Sequence, residues 1–197
     1  MMSFAAGLGT GLSLIVAIGA QNAFVLKQGL MRRHVFWVCL FCALSDALLI
    51  LLGVTGMAQV LAAAPLLADA MRWAGAAFLI WYGARSFRSA WRGGAALRPE
   101  GSGATLGRTL AIIAALTWLN PHVWLDTVVL LGTVSAQWPD PAIFGLGAMS
   151  GSFLFFFALG YGARLLAPVF ARPRAWQVLD LGIGILMWSI ALSLIVD

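Results

Sequence analysis

The chain has 197 residues, of which 62% are hydrophobic and only 10% charged, and its mean hydropathy is +0.95. Soluble domains are about 25% charged, so this composition specifies an integral membrane protein and leaves no polar stretch long enough for a soluble domain. The net charge of +5 would suit nucleic acid, but the basic residues sit in short loops between apolar segments, and no nucleic-acid partner is expected.

A helix that spans a bilayer needs about 20 apolar residues. The stretches 4–26, 35–58, 73–91, 107–131, 141–163 and 175–196 qualify, which predicts an all-α integral membrane protein of six transmembrane helices. The N-terminus lacks the basic flank and small-residue cleavage site of a signal peptide, so the first segment is expected to be retained. Segment two contains Cys39 and Cys42, the only cysteines. A C-x-x-C spacing can be a redox pair, which keeps a membrane thiol oxidoreductase as an alternative; small apolar residues in a helix are the simpler reading. Between segments three and four lies the one linker-like stretch, 92–106, which separates residues 1–91 from 107–197.

Loop charge predicts orientation. Lys27, Arg32 and Arg33 follow segment one, Arg85, Arg88, Arg92, Arg98 and Arg108 surround the third connection, and Arg164, Arg172 and Arg174 lie between segments five and six. Of the 12 basic residues only Arg72 falls in the alternate loops. Positive charge stays inside, so both termini are expected outside, on the periplasmic face of a bacterial inner membrane. Trp37, Trp91, Trp138 and Trp176 near segment ends suit an aromatic belt.

The two halves echo each other. Gly75, Leu79, Trp81, Ala84 and Ser86 recur with unchanged spacing as Gly182, Leu186, Trp188, Ala191 and Ser193. At similar offsets Leu44-Ser45-Asp46 matches Met149-Ser150-Gly151, and Asn22 matches Asn120. Three helices per half is an odd number, so the second repeat would enter the membrane inverted. Inverted repeats with broken helices at the midplane are a transporter signature.

The residues that depart from an apolar helix fall within this pattern. Asn120-Pro121 interrupts segment four, where Asn120 can cap a half-helix and Pro121 can take its first position. The partial positive charge at that N-terminus suits a substrate carboxylate. Gln21-Asn22 is the corresponding polar pair in segment one, without a proline. Asp46 lies near the centre of segment two beside Ser45, and Asp126 lies in segment four. A charge at a helix centre costs about 2.5–3.5 kcal/mol on insertion scales, and no basic residue is at comparable depth. Both carboxylates therefore suit a cationic substrate or proton exchange. His122 can take part in proton transfer or serve as a packing residue. Asp69, Arg72, Asp140 and Asp180 lie near segment ends and are expected at the interface. Gly145, Gly147, Gly151, Gly160 and Gly162 in segment five suit close helix packing. Nothing resembles a phosphate loop, a metal cluster or a nucleophile with its base, and no cofactor is expected. The sequence is compatible with a homodimer.

The stretch Gly11–Gly29, with its Ala-Ile-Gly-Ala-Gln-Asn-Ala core, resembles the first segment of the LysE family of amino-acid exporters, most nearly its lysine- and arginine-exporting branch. Cys42–Ile50, Arg72–Gly83 and Thr117–Leu130 resemble that branch as well, and the likeness covers nearly the whole chain. It implies an inner-membrane carrier that moves basic amino acids out of the cytoplasm, driven by membrane potential or ion exchange, rather than an enzyme. Other cargo within the superfamily, such as neutral amino acids or a metal cation, is the alternative. Many members have proline where this chain has Ala20. From the residues and the resemblance together, the site is expected between segments one, two, four and five. The substrate carboxylate would meet the helix N-termini at Asn120 and Asn22, and its cations would meet Asp46 and Asp126.

Overall fold

A computed structural model describes residues 1–16, 19–56, 65–92 and 104–196, which are helical and contain no strand. Arg98, most of the expected linker and the end of the second apolar stretch lie outside the described residues. Helices α1 (Met2–Ile15) and α2 (Ala20–Met31) form a pair bent by 83°. They are followed by α3 (Val35–Val54) and α4 (Pro65–Trp91). Helices α5 (Leu106–Trp118) and α6 (Pro121–Ser135) form a second bent pair, at 63°. Last come α7 (Pro141–Gly162), continued by a 3-10 turn at Ala163–Leu166, and α8 (Pro173–Val196).

Local chemistry fixes several of these starts. Thr105 caps α5 by accepting from the Arg108 N–H at 3.3 Å. Asp140 caps α7 by accepting from the Ile143 N–H at 3.0 Å, with Pro141 at the first helical position. Both are side-chain oxygens meeting the orphan donors of a first turn.

Helices α3, α7 and α8 are each long and apolar enough to cross a membrane, and counting each bent pair as one span raises the number to five. The sixth expected span, in α4, does not reach that composition. This helix is 27 residues long but carries Asp69, Arg72, Arg85 and Arg88. The outer faces are greasy: Leu44, Leu48 and Leu51 on α3, Leu146 and Leu154 on α7, and Leu181, Ile185 and Leu192 on α8 are all exposed. A contiguous apolar exterior of this kind is a membrane surface. The chain is a multi-pass membrane protein.

Two helix pairs dominate the packing. α1 runs parallel to α7 along glycines: Gly7 and Gly11 lie against the Phe144 and Ala148 backbone, and Gly147 and Gly151 against Phe4 and Leu8. In lipid there is no hydrophobic force between helices, so small residues that admit close backbone contact carry the association. Of the glycines expected to do this in segment five, Gly162 has nothing beside it and takes no part. The second pair is α4 antiparallel to α8. Arg72 near the start of α4 donates to the Leu194 carbonyl, and to the Ile195 carbonyl at 3.1 Å, so its charge meets the negative end of α8.

At the other end of the α4–α8 pair Asp180 is fully buried, paired with Lys27 of α2 and hydrogen-bonded by Ser89 of α4 at 2.6 Å. Lys27, expected in a loop, lies within α2. α2 continues to Met31, and the Lys27 ammonium group within it meets a buried partner. At this same end His34, before α3, lies 3.3 Å from the Ala104 carbonyl, before α5, and Gly29 near the end of α2 lies against Gly160 and Ala163 at the end of α7.

Candidate functional site

Both bent pairs break where the backbone needs new partners, and each break solves the need differently. At the second, Asn120 is extended (φ −99°, ψ 106°), and its Oδ1 accepts from the His122 N–H at 3.2 Å. Pro121 takes the first helical position, where a missing N–H costs nothing. The Trp118 carbonyl, orphaned at the end of α5, accepts from the Trp124 indole at 3.0 Å. The two rings meet edge to face, with centroids 5.6 Å apart.

At the first break the N-cap is Gly19, in an extended conformation, so the cap position itself offers no side chain to α2. Ala20 occupies the first helical position, the place that Pro121 takes in α6. The bend therefore forms without a proline. Asn22 does not do the work of Asn120. It lies inside α2 and donates its Nδ2 to the Ile15 carbonyl at 2.6 Å, closing the orphaned end of α1. In role its counterpart is Trp124.

The two breaks face one cavity of about 190 Å³. Its polar lining is Gln21, Asn22, Asp46, Asn120, His122 and Asp126, with Thr127 beside them, and Phe156 and Ile190 supply apolar wall. The volume is small beside the ~300–1,000 Å³ of pockets for drug-sized ligands and suits a single amino acid. Segments one, two, four and five all contribute, as expected, and α8 adds Ile190. Ser45 and Pro121 are not in the lining. Pro121 shapes the turn, and the Ser45 hydroxyl accepts from the Trp118 indole at 3.2 Å, which fixes the end of α5 against α3.

Asp46 is 5% exposed, and its Oδ2 accepts from the Ser152 hydroxyl at 2.9 Å. Ser152, which the sequence did not single out, lies one turn from Phe156 on α7. Beside Asp46 and Cys42 lies the Gln21 amide, whose buried Nε2 makes no hydrogen bond among the described residues. Asp126 is the exposed acidic member of the lining and sits on a π-helical turn, Leu125–Leu130. The Leu131 N–H donates back to the Asp126 carbonyl across five residues. Such turns concentrate at functional sites, and no residue pattern announced this one. Next to it α3 crosses α6 at Gly53 and Gly132, where the backbones touch. His122 holds to α8 through Ser193, with Nε2 and Oγ 3.3 Å apart.

The electrostatic character of the cavity is uneven. Two carboxylates face it, and neither is ion-paired; the one ion pair among the described residues is Lys27–Asp180. The N-terminus of α2, with Gly19 at its cap position, brings backbone donors and partial positive charge to the same cavity. This arrangement complements a molecule that carries a carboxylate and one or more cations. Among the described residues no group of three or more His, Cys, Asp or Glu is placed to hold a metal ion.

The model of the LysE type translocator family matches residues 12–197. The chain belongs to the LysE family. A relative in Yersinia enterocolitica named arginine exporter protein ArgO is 42% identical over 195 residues, covering 97% of this chain and 95% of its own. Its namesake in Escherichia coli K12 is 40% identical over 194 residues, covering 97% and 92%. A relative in Aeromonas salmonicida, 44% identical over 191 residues and covering 95% and 93%, carries the broader and provisional description of amino-acid transporter. No solved structure matches the chain.

Two site-level outcomes follow from the geometry. Asn120→Ala removes the cap of α6 and is expected to cost about 1 kcal/mol, read as a lowered thermal midpoint in detergent. Cys39 and Cys42 are free and fully buried, and Cys39 donates to the Phe156 carbonyl at 3.2 Å. A Cys39→Ser, Cys42→Ser double variant is expected to transport at the wild-type rate, whereas thiol redox chemistry would be abolished by it.

Proposed function

We propose that this LysE-family protein exports basic amino acids, L-arginine or L-lysine, from the cytoplasm across the bacterial inner membrane. The observation that carries this reading is the pair of unpaired carboxylates, Asp46 and Asp126, facing a cavity that two broken helices also enter. The cargo's carboxylate meets the start of α2 at Gly19 and the start of α6 at Asn120. Its α-amino group and side-chain cation meet Asp46 and Asp126. Relatives named as arginine exporters over nearly the full chain support the same cargo.

Transport proceeds by alternating access, driven by membrane potential or by proton or ion exchange. Residues 1–91 and 107–197 act as inverted three-helix repeats joined by a cytoplasmic linker at 92–106, with α4 as the sixth span. The paired breaks and the antiparallel α4–α8 contact support this division. Clustering of arginines at the end marked by Lys27 and Asp180 supports a cytoplasmic assignment of that end, with both termini outside. The test is efflux from cells fed arginine-, lysine- or threonine-containing dipeptides, with and without an uncoupler. Arginine or lysine efflux that depends on this protein and falls with the uncoupler supports the reading. Threonine efflux alone, or rescue from metal toxicity with no response to basic amino acids, overturns it.

A further inference from the structure

The ion pair beneath the cavity has a use that stable folding alone does not require. Lys27 lies seven residues after Ala20, two turns along the same face of α2, about 10 Å down the helix. Ala20 lines the cavity. Between the two, Phe24 packs edge-on against Tyr82 of α4, with centroids 6.2 Å apart, and Tyr82 stacks on Phe78. Below the cavity there is thus one aromatic layer and then one charged layer. In the charged layer Asp180 is fully buried, with Lys27 on Oδ1 and Ser89 on Oδ2. Lys27 itself is 15% exposed. Beyond it lies the arginine-rich end of the molecule.

We propose that Asp180 is a second cation site for the cargo, on the way into the cavity, and that Lys27 occupies it at rest. This rests on the basic-amino-acid reading above. A buried ion pair contributes little net stability, but a buried charge left without its partner is strongly unfavourable. Lys27 therefore leaves Asp180 only when another cation takes its place. An ammonium or guanidinium side chain arriving from the arginine-rich end supplies one, whereas a neutral amino acid does not. The exchange frees α2 from the α4–α8 pair, separates Phe24 from Tyr82 and opens the route to Asp46. Cargo charge is read here before the cargo reaches the cavity.

The experiment is initial-rate arginine transport by the reconstituted full-length protein, with the amount of folded protein measured by size-exclusion chromatography. Lys27→Arg keeps a cation in place and holds Asp180 more tightly through a guanidinium fork. It is expected to fold normally and to raise KM for arginine about tenfold. Lys27→Gln vacates the site and is expected to lower KM in the molecules that fold. Asp180→Asn removes the site and is expected to raise KM. Opposite shifts from Lys27→Gln and Lys27→Arg support the proposal. An unchanged KM in Lys27→Arg, or a shift in the same direction in both, overturns it and leaves a structural staple. Failure of the wild-type protein to transport arginine at all refutes the cargo assignment instead.

Discussion

Asp46→Asn is expected to lower arginine and lysine efflux on the order of a hundredfold while leaving the protein folded. Asp46 is buried at the cavity wall, with no basic residue beside it, the Ser152 hydroxyl on its Oδ2 and the Gln21 amide alongside. In the absence of cargo its charge is uncompensated, so replacing it with a neutral group of the same shape does not remove a stabilising ion pair. Asparagine also keeps an oxygen to accept from Ser152. With cargo bound the balance is different. Truncating one partner of a buried charge pair costs about 2–5 kcal/mol, and each 1.4 kcal/mol is about tenfold. The variant should therefore match or exceed wild type in thermal stability and fail in efflux. Wild-type efflux of both amino acids would remove Asp46 from the site. Asp126→Asn should show the same pattern to a smaller degree, because its exposed position on the π-helical turn leaves water to share its charge.

The second large effect concerns folding. At Gly147 an added Cβ would lie 2.1 Å from the Phe4 carbonyl oxygen and 2.9 Å from the Leu8 nitrogen. Both atoms are backbone, so α1 must move away from α7 for a side chain to fit. Overpacking a core that yields costs about 1–3 kcal/mol, and here there is no flexible side chain to yield. The contact also cannot be recovered by hydrophobic burial, since lipid is as apolar as the helix face. Gly147→Leu is thus expected to cost at least the upper end of that range and to leave little folded protein in the membrane. Gly9→Leu is its control: it lies on the same helix pair, with nothing within 4 Å of the added Cβ. Equal amounts of folded protein for the two variants would contradict the glycine-mediated contact.

What could be read in the sequence was what local chemistry determines. Asn120-Pro121 combines a capping side chain with a residue suited only to a first turn, and the break lies there. Apolar length located α3, α7 and α8, because burying a helix in lipid demands it. Asp46 and Asp126 stood out as charges without local reason, and they share the cavity. What escaped was set by contacts between distant segments. Lys27 reads as a loop charge until Asp180, far away in the chain, is seen to pair with it. Asn22 reads as a twin of Asn120 because both are polar residues near a break. Only the geometry shows that Gly19 is the cap and that Asn22 closes the end of α1. The π-helical turn under Asp126 has no residue signature at all. Ser45 was singled out for its neighbour Asp46, yet its hydroxyl holds Trp118.

The most direct test of the cargo assignment is counterflow in proteoliposomes that contain the purified full-length protein and are loaded with unlabelled arginine. External radiolabelled arginine should accumulate transiently, be displaced by excess lysine but not by citrulline, and fail to accumulate with Asp46→Asn. Accumulation that citrulline or threonine suppresses as well as lysine does, or that survives Asp46→Asn intact, would contradict a cavity built for a cationic amino acid.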